Sequence, residues 1–131
     1  MRDLNSIIAG AISILPVADK VTQTGGGVDL TGYLGASVIF AAGTITDGTF
    51  TPTIEESDDD GSSDAYAAVA AADLVGSLVA FTATIDERTN EVGYIGSKKW
   101  IRAVLTVSGS PGTGGPTAAI VIKGFPRTLP A

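Results

Sequence analysis

The feature that most constrains the fold is the stretch W-I-R-A-V-L-T-V-S over residues 100–108, where apolar side chains recur at every second position. Ile101, Ala103, Leu105 and Val107 fall on one face of an extended chain, and Trp100, Arg102, Val104 and Thr106 on the other. Successive strand residues point to opposite faces. The odd face is therefore expected in a core and the mixed even face outside it.

The rest of the chain is cut to lengths that suit strands. Seventeen glycines and six prolines recur at short intervals, and no helical period is sustained between them. Strands are expected over 19–24, 36–41, 50–56, 78–85, 91–95, 99–108 and 117–124. Pro52 cannot donate to a ladder, which places 50–56 at an edge or a bulge. The alanine-rich segment 65–72 reads two ways. Alanine favours helix, but the run is short and follows a turn, so it is taken as a strand returning from 50–56. The loop S-P-G-T-G-G-P over 110–116 cannot hold regular structure.

Seven or eight short strands imply an all-β fold, a single jelly-roll-like β-sandwich. The sandwich is expected over 19–124. Residues 1–18, ending near Pro16, read as an extended N-terminal arm, and residues 125–131 (F-P-R-T-L-P-A) as an extended C-terminal tail. Both termini are apolar or proline-rich and are expected to be tied down on neighbouring subunits.

Composition excludes several functions. With 44% hydrophobic and 17% charged residues, the chain is globular rather than disordered. Aromatics make up only 6%, which implies a thin core. The net charge of −6 opposes nucleic-acid binding, which needs cations to neutralise phosphates. There is no cysteine and no histidine, so thiolate chemistry and the commonest general base and transition-metal ligand are missing. The apolar run over 7–15 is too short to span a bilayer. With Asp3 beside Arg2 and no small-x-small site after it, it does not read as a cleaved signal.

Glu55, Glu56, Asp58, Asp59, Asp60 and Asp64 form the densest charge cluster. Read as a calcium loop from Glu56, Asp58, Asp60 and Gly61 are in place, but the twelfth position is Ala67 instead of glutamate. The expected reading is a solvated hairpin loop with no bound metal. Glu55 and Glu56 are adjacent, leave opposite faces of a strand, and cannot form a glycosidase pair. Gly25, Gly26 and Gly27, and the glycines of 109–115, lack the Lys-Ser/Thr and helix of a phosphate-binding loop. The segment S-G-S-P-G over 108–112 lacks the leading glycine and the histidine of a nucleophile elbow. No catalytic residue and no cofactor is expected.

Trp100 lies among Lys98, Lys99 and Arg102. Tryptophan and arginine are enriched at interface hot spots, and Trp100 equally suits the end of a sandwich core. Lys98, Lys99, Trp100 and Arg102, with Phe125 and Arg127 of the tail, are the candidate interface residues.

The motif Y-I-G-S-K-K-W-I-R over 94–102, the opening M-R-D-L-N-S-I-I, V-D-L-T-G-Y over 28–33, T-D-G-T-F-T-P-T-I-E-E-S-D-D over 46–59 and the closing V-I-K-G-F-P-R-T-L-P-A resemble a family of small tailed-bacteriophage virion proteins. Lys99 stands where arginine is usual in that family, and Phe125 where histidine is common. The resemblance implies a non-enzymatic structural protein of the virion, most simply a capsid decoration (cement) subunit on the outer head shell. Its partners would be the major capsid protein and further copies of itself, in a homo-oligomer on the particle. It would contact neither nucleic acid nor membrane. A head–tail joining or tail role is the nearest alternative. A carbohydrate-binding β-sandwich is the alternative from another class, disfavoured by the wide spacing of Tyr33, Tyr66 and Tyr94.

Overall fold

A computed structural model describes residues 3–128. Ten strands run in chain order: β1 (Ile8–Asp19), β2 (Gln23–Thr24), β3 (Val28–Asp29), β4 (Tyr33–Ala42), β5 (Thr49–Ser57), β6 (Ala67–Ala68), β7 (Leu74–Val75), β8 (Arg88–Tyr94), β9 (Trp100–Ser108) and β10 (Gly115–Pro126). A 3₁₀ turn, Ala71–Asp73, precedes β7. One antiparallel sheet has the order β1-β10-β4-β8-β7. In the other, β9 pairs with β2 and β3 on one side and β5 on the other, and β6 follows β5.

The pairing is nested. β1 pairs with β10, β2 and β3 with β9, β4 with β8, and β5 with β6. Nested antiparallel pairs wound into two sheets make the double Greek key of a jelly roll. The fold class expected from strand count is the fold observed.

The core forms where the inner faces meet. Val38, Phe40, Val92, Ala119 and Val121 face inward from the first sheet, and Phe50, Ile54, Ile101, Ala103 and Leu105 from the second. The odd face of β9 is buried as its alternation requires, with Ile101, Ala103 and Leu105 inaccessible to solvent. Pro52 costs β5 no ladder bond. Phe50 exchanges hydrogen bonds with Phe81, and Ile54 accepts from Val69 N, both away from β9. Position 52 shares their orientation, so its missing N–H lies on the side where β5 has no continuous neighbour.

Three expectations need correcting. The segment read as an arm over 1–18 is mostly β1, paired with β10 from Ile8↔Gly124 to Asp19↔Gly115. Register shifts on either side of Ile14 bury the adjacent residues Ser13 and Ile14 together, which breaks the alternation that would have marked a strand. The expected tail begins inside β10. Pro126 pairs with Tyr33, and Arg127 N donates to Gly32 O (2.8 Å); the rest of that expectation, over 129–131, lies outside the described residues. The expected strand over 78–85 is a loop. Its anchor is the buried Phe81, bridged to Phe50, and the Asn90 side chain holds it by accepting from Val79 N and donating to Ser77 O (both 3.0 Å). Of the alanine-rich segment, Ala67–Ala68 pairs with β5 as expected, and the remainder turns away through the 3₁₀ turn.

Ser13 joins the two sheets. At Ala103 the β9 ladder has a gap between β2, which ends opposite Val104, and β3, which begins opposite Ile101. Gly25 N donates to Ala103 O (2.8 Å), and Ala103 N donates to Ser13 Oγ (2.9 Å). Ser13 Oγ donates in turn to Gly26 O (2.8 Å). A side chain at position 25 would collide with Ser13 and with the backbone of Ala103, so glycine is required by this close approach.

Candidate interaction surface

The outward faces of the two sheets differ in chemistry. On the second sheet, Thr51, Thr53, Glu55, Arg102 and Thr106 point outward, the polar pattern of a sheet with one solvated face. On the first, the cross-strand row Ile12, Ile120 and Ile39 and the row Gly10, Ile122, Ser37, Gly93 and Val75 point outward. Ile12 and Val75 are more than half exposed. Glu91, opposite Ile39, supplies the charge on this face among these described rows.

This face leads into a cleft of about 920 Å³ where β4 begins and β8 and β10 end. Its floor is made of glycine. Gly35 and Gly124 are cross-strand partners, and Gly93 is opposite Ser37 one step along. Leu34, Ile95, Ile122 and Phe125 are its apolar lining. Leu34, Ile95 and Phe125 are 72%, 63% and 71% exposed, unusual for large apolar groups next to one another. Phe125 holds a left-handed φ of 54°, a strained conformation for a bulky residue. That backbone lays its ring against Gly35, where a Cβ would come within 3.1 Å of it.

The structure divides the six candidate interface residues. Lys98, Lys99, Phe125 and Arg127 line the cleft, while Trp100 and Arg102 do not. Two of the four cations are engaged within the chain. Lys98 Nζ bridges Asp64 (2.8 Å) and Asp58 (3.0 Å). Hydrogen bonds to Asp64 and then Asp58 raise its pKa, and the same contact lowers that of Asp64. Arg102 pairs with Glu55 (2.7 Å) and lies 4.1 Å over the Tyr66 ring. Tyr66 donates to Asp60 (2.7 Å), and burial followed by that carboxylate raises its pKa. These two cations tie the second sheet to its acidic loop, and both keep part of their side chain exposed. Trp100 is half-buried in β9, opposite Asp29 of β3 and Ser57 of β5.

The acidic loop is ordered by its own hydrogen bonds. Asp59 accepts from Ser63 N (2.8 Å) and Asp64 N (3.0 Å), which lowers its pKa. The buried Ser57 hydroxyl donates to Asp64 O (2.6 Å) and accepts from Gly61 N (2.8 Å). Among the described residues no group of three acidic side chains is arranged to hold a metal ion. Tyr94 links this end of the sandwich, donating to Glu56 (2.6 Å) and accepting from Lys98 N (3.0 Å). Burial and then the Glu56 carboxylate raise its pKa.

Sequence reasoning missed the glycine floor and the apolar outward face. The signal was present: Ile8, Gly10 and Ile12, and Ile120, Ile122 and Gly124, carry apolar or glycine residues at alternating positions opposite to those that build the core.

No family model matches the chain, and no curated protein matches it. A chain in a solved structure titled "Structure of infectious bursal disease virus Gx strain" is similar at 14% identity with a TM-score of 0.44, over 94% of this chain and 34% of that one. This chain thus spans about a third of that protein's length.

Proposed function

We propose that the protein is a non-enzymatic structural subunit of a tailed-phage virion, a decoration protein that binds the outer head shell through the outward face of its first sheet. The observation that carries this reading is that face. A two-sheet sandwich needs one apolar face per sheet to build its core, and here the first sheet has two. Ile12, Ile39, Ile120 and Ile122 point away from the core, and an apolar patch of this kind marks an interaction site. The virion assignment rests on the motifs spread along the chain, above all Y-I-G-S-K-K-W-I-R over 94–102. The partners are the major capsid protein and further copies of this chain around it, with no nucleic acid, membrane or cofactor involved.

The test is co-sedimentation of the purified protein with head shells lacking it, followed by cryo-electron microscopy of the decorated shells. Wild-type protein is expected to appear as ordered density on the shell exterior, with the first sheet facing the capsomers. Ile12→Glu with Ile120→Glu should abolish association with little change in melting temperature, because both side chains point outward. Wild-type protein that stays in the supernatant, or a double variant that decorates normally, would overturn the reading.

A further inference from the structure

We propose that the cleft over Gly35, Gly93 and Gly124 receives an extended peptide segment of a partner protein that carries apolar side chains alternating with carboxylates. This rests on the reading of the protein as one that docks onto other proteins, and it names the chemistry of what is gripped. Three observations support it.

The first is charge. The chain has 14 acidic and 8 basic residues, yet the cleft is lined by Lys98, Lys99 and Arg127 and by no acidic residue among those described. Lys98 is neutralised by Asp58 and Asp64. Lys99 and Arg127 make no ion pair among the described residues, and both are exposed. Asp29 lies within electrostatic reach of Lys99 but forms no ion pair with it, so Arg127 and a partly compensated Lys99 at the rim of an acidic protein's cleft favour an anionic partner.

The second is shape. The open part of the cleft lies over Gly124, where a Cβ would meet nothing closer than Ile7 O at 3.9 Å, and it is bounded by the Phe125 ring over Gly35 and by Val75 over Gly93. The channel is open at the strand ends, between the turns around Gly32 and Gly96. A volume of 920 Å³ lies within the range of about 300–1,000 Å³ typical of ligand pockets. Strand-like ligands place alternate side chains to opposite sides, so apolar groups can fill the channel while carboxylates reach the rim.

The third is the Phe125 ring, held exposed by a strained backbone directly over the glycine floor. Strain of this kind persists at ligand clamps, and phenylalanine is enriched in the buried centres of protein interfaces.

The experiment uses the full chain and two synthetic octapeptides, one alternating Glu and Leu and one alternating Lys and Leu, with binding followed by amide chemical shifts. The Glu/Leu peptide is expected to shift Lys99, Gly124, Phe125 and Arg127, and the Lys/Leu peptide is not. Gly124→Leu, which fills the channel, and Lys99→Glu with Arg127→Glu should each weaken binding about tenfold or more. Thr53→Glu on the opposite sheet should not. Equal binding of both peptides, no binding, or Gly124→Leu binding as wild type would overturn the inference. So would displacement of the peptide by a second copy of the chain, or by a fatty-acid anion bound more tightly at the same residues. The two readings fail separately. Gly124→Leu that still decorates shells while losing the peptide removes the cleft from the virion contact. A peptide-binding protein that never decorates shells removes the virion assignment and leaves the cleft.

Discussion

Replacing Ser13 by alanine is expected to destabilise the whole sandwich, although Ser13 lies in a segment whose sequence reads as a dispensable arm. Its hydroxyl accepts from Ala103 N at 2.9 Å and donates to Gly26 O at 2.8 Å. The two losses are unequal. Gly26 is exposed, so its carbonyl can turn to water at little cost. Ala103 is inaccessible to solvent, and its N–H lies in the ladder gap between β2 and β3 with no other acceptor in reach. Leaving a buried donor unsatisfied costs about 1–3 kcal/mol, and the complete burial of Ala103 places the expected loss at about 2–3 kcal/mol. For a domain of this length each kcal/mol lowers the melting temperature by about 3–5 °C, so a fall of about 10 °C is expected. Thr106→Ala, an exposed change on the same strand, should move stability by less than about 0.5 kcal/mol. Thermal melts of both variants, with hydrogen exchange at Ala103 N–H, provide the readout. If Ser13→Ala melts within about 1 °C of wild type, with Ala103 still protected, the reasoning fails and β1 is held by its β10 ladder alone.

Removal of residues 1–15 deletes most of β1, including Ser13 and the buried Ile14. The truncated chain is expected to lose cooperative unfolding by circular dichroism and calorimetry; a folded product would restore the arm reading. Arg102→Glu sets a glutamate against Glu55 and removes the stack on Tyr66. With both partners of the pair largely covered, a loss of about 1–2 kcal/mol is expected in denaturant melts, and unchanged stability would free Arg102 for a partner after all. The loops ordered by Asp59 and by Asp47, whose carboxylate accepts from the N–H groups of Gly112, Thr113 and Gly114, should loosen in acid. Backbone hydrogen bonds hold both carboxyls below the ordinary value of 3.8, so their contribution is fully present above that value and is lost as pH falls below it, through the depressed folded values. Protection factors at Ser63, Asp64, Gly112 and Gly114, taken relative to the free-peptide exchange rate at each pH, should therefore fall below about pH 4; protection that persists to pH 2 would contradict it.

How much the sequence disclosed depended on whether alternation survived. β9 was legible because Ile101, Ala103, Leu105 and Val107 keep strict period two against an inner face. β4 and β10 were legible for a different reason, as short apolar runs rich in β-branched residues, and their expected cores, 36–41 and 117–124, lie inside the observed strands. β1 was not legible because its register shifts bury Ser13 beside Ile14, and a side chain that serves another strand's ladder has no local signature. The loop over 78–85 misled in the opposite sense. L-V-A-F-T-A-T-I has strand composition, but Phe81 is its one fully buried side chain, with Leu78 partly buried beside the core, and Gly76 at φ 105° precedes it in a conformation that turns the chain. At the candidate site, charge was legible and pairing was not. Lys98 and Arg102 stood out as cations near Trp100, but their carboxylates come from 34 and 47 residues away. Phe125 and Arg127 were singled out as tail residues; their position on the cleft with Lys99 follows from β10 pairing with β4.

The two-faced first sheet has an energetic consequence for how such a protein would hold a particle. Each outward isoleucine gains about 1.5–3 kcal/mol on full burial, so Ile12, Ile39, Ile120 and Ile122 together offer roughly 6–12 kcal/mol before costs. Several of them are already partly covered, which places the available gain toward the lower figure. Association costs about 4–15 kcal/mol in translational and rotational freedom, so the face alone leaves a weak or vanishing surplus for one isolated copy. Two features of the fold change that balance. The cleft continues the same face at the ends of β4, β8 and β10 and adds the exposed Phe125, an aromatic anchor of the type that dominates interface energetics. Repetition over many equivalent sites on a shell lets a modest contact act collectively wherever neighbouring copies touch, because a second contact is then effectively intramolecular. The net charge of −6 opposes self-association of the free subunit through this apolar face. Dilution separates this account from one tight site. Decoration of isolated capsomers should be weak and that of intact shells strong, whereas a single self-sufficient contact would bind both alike.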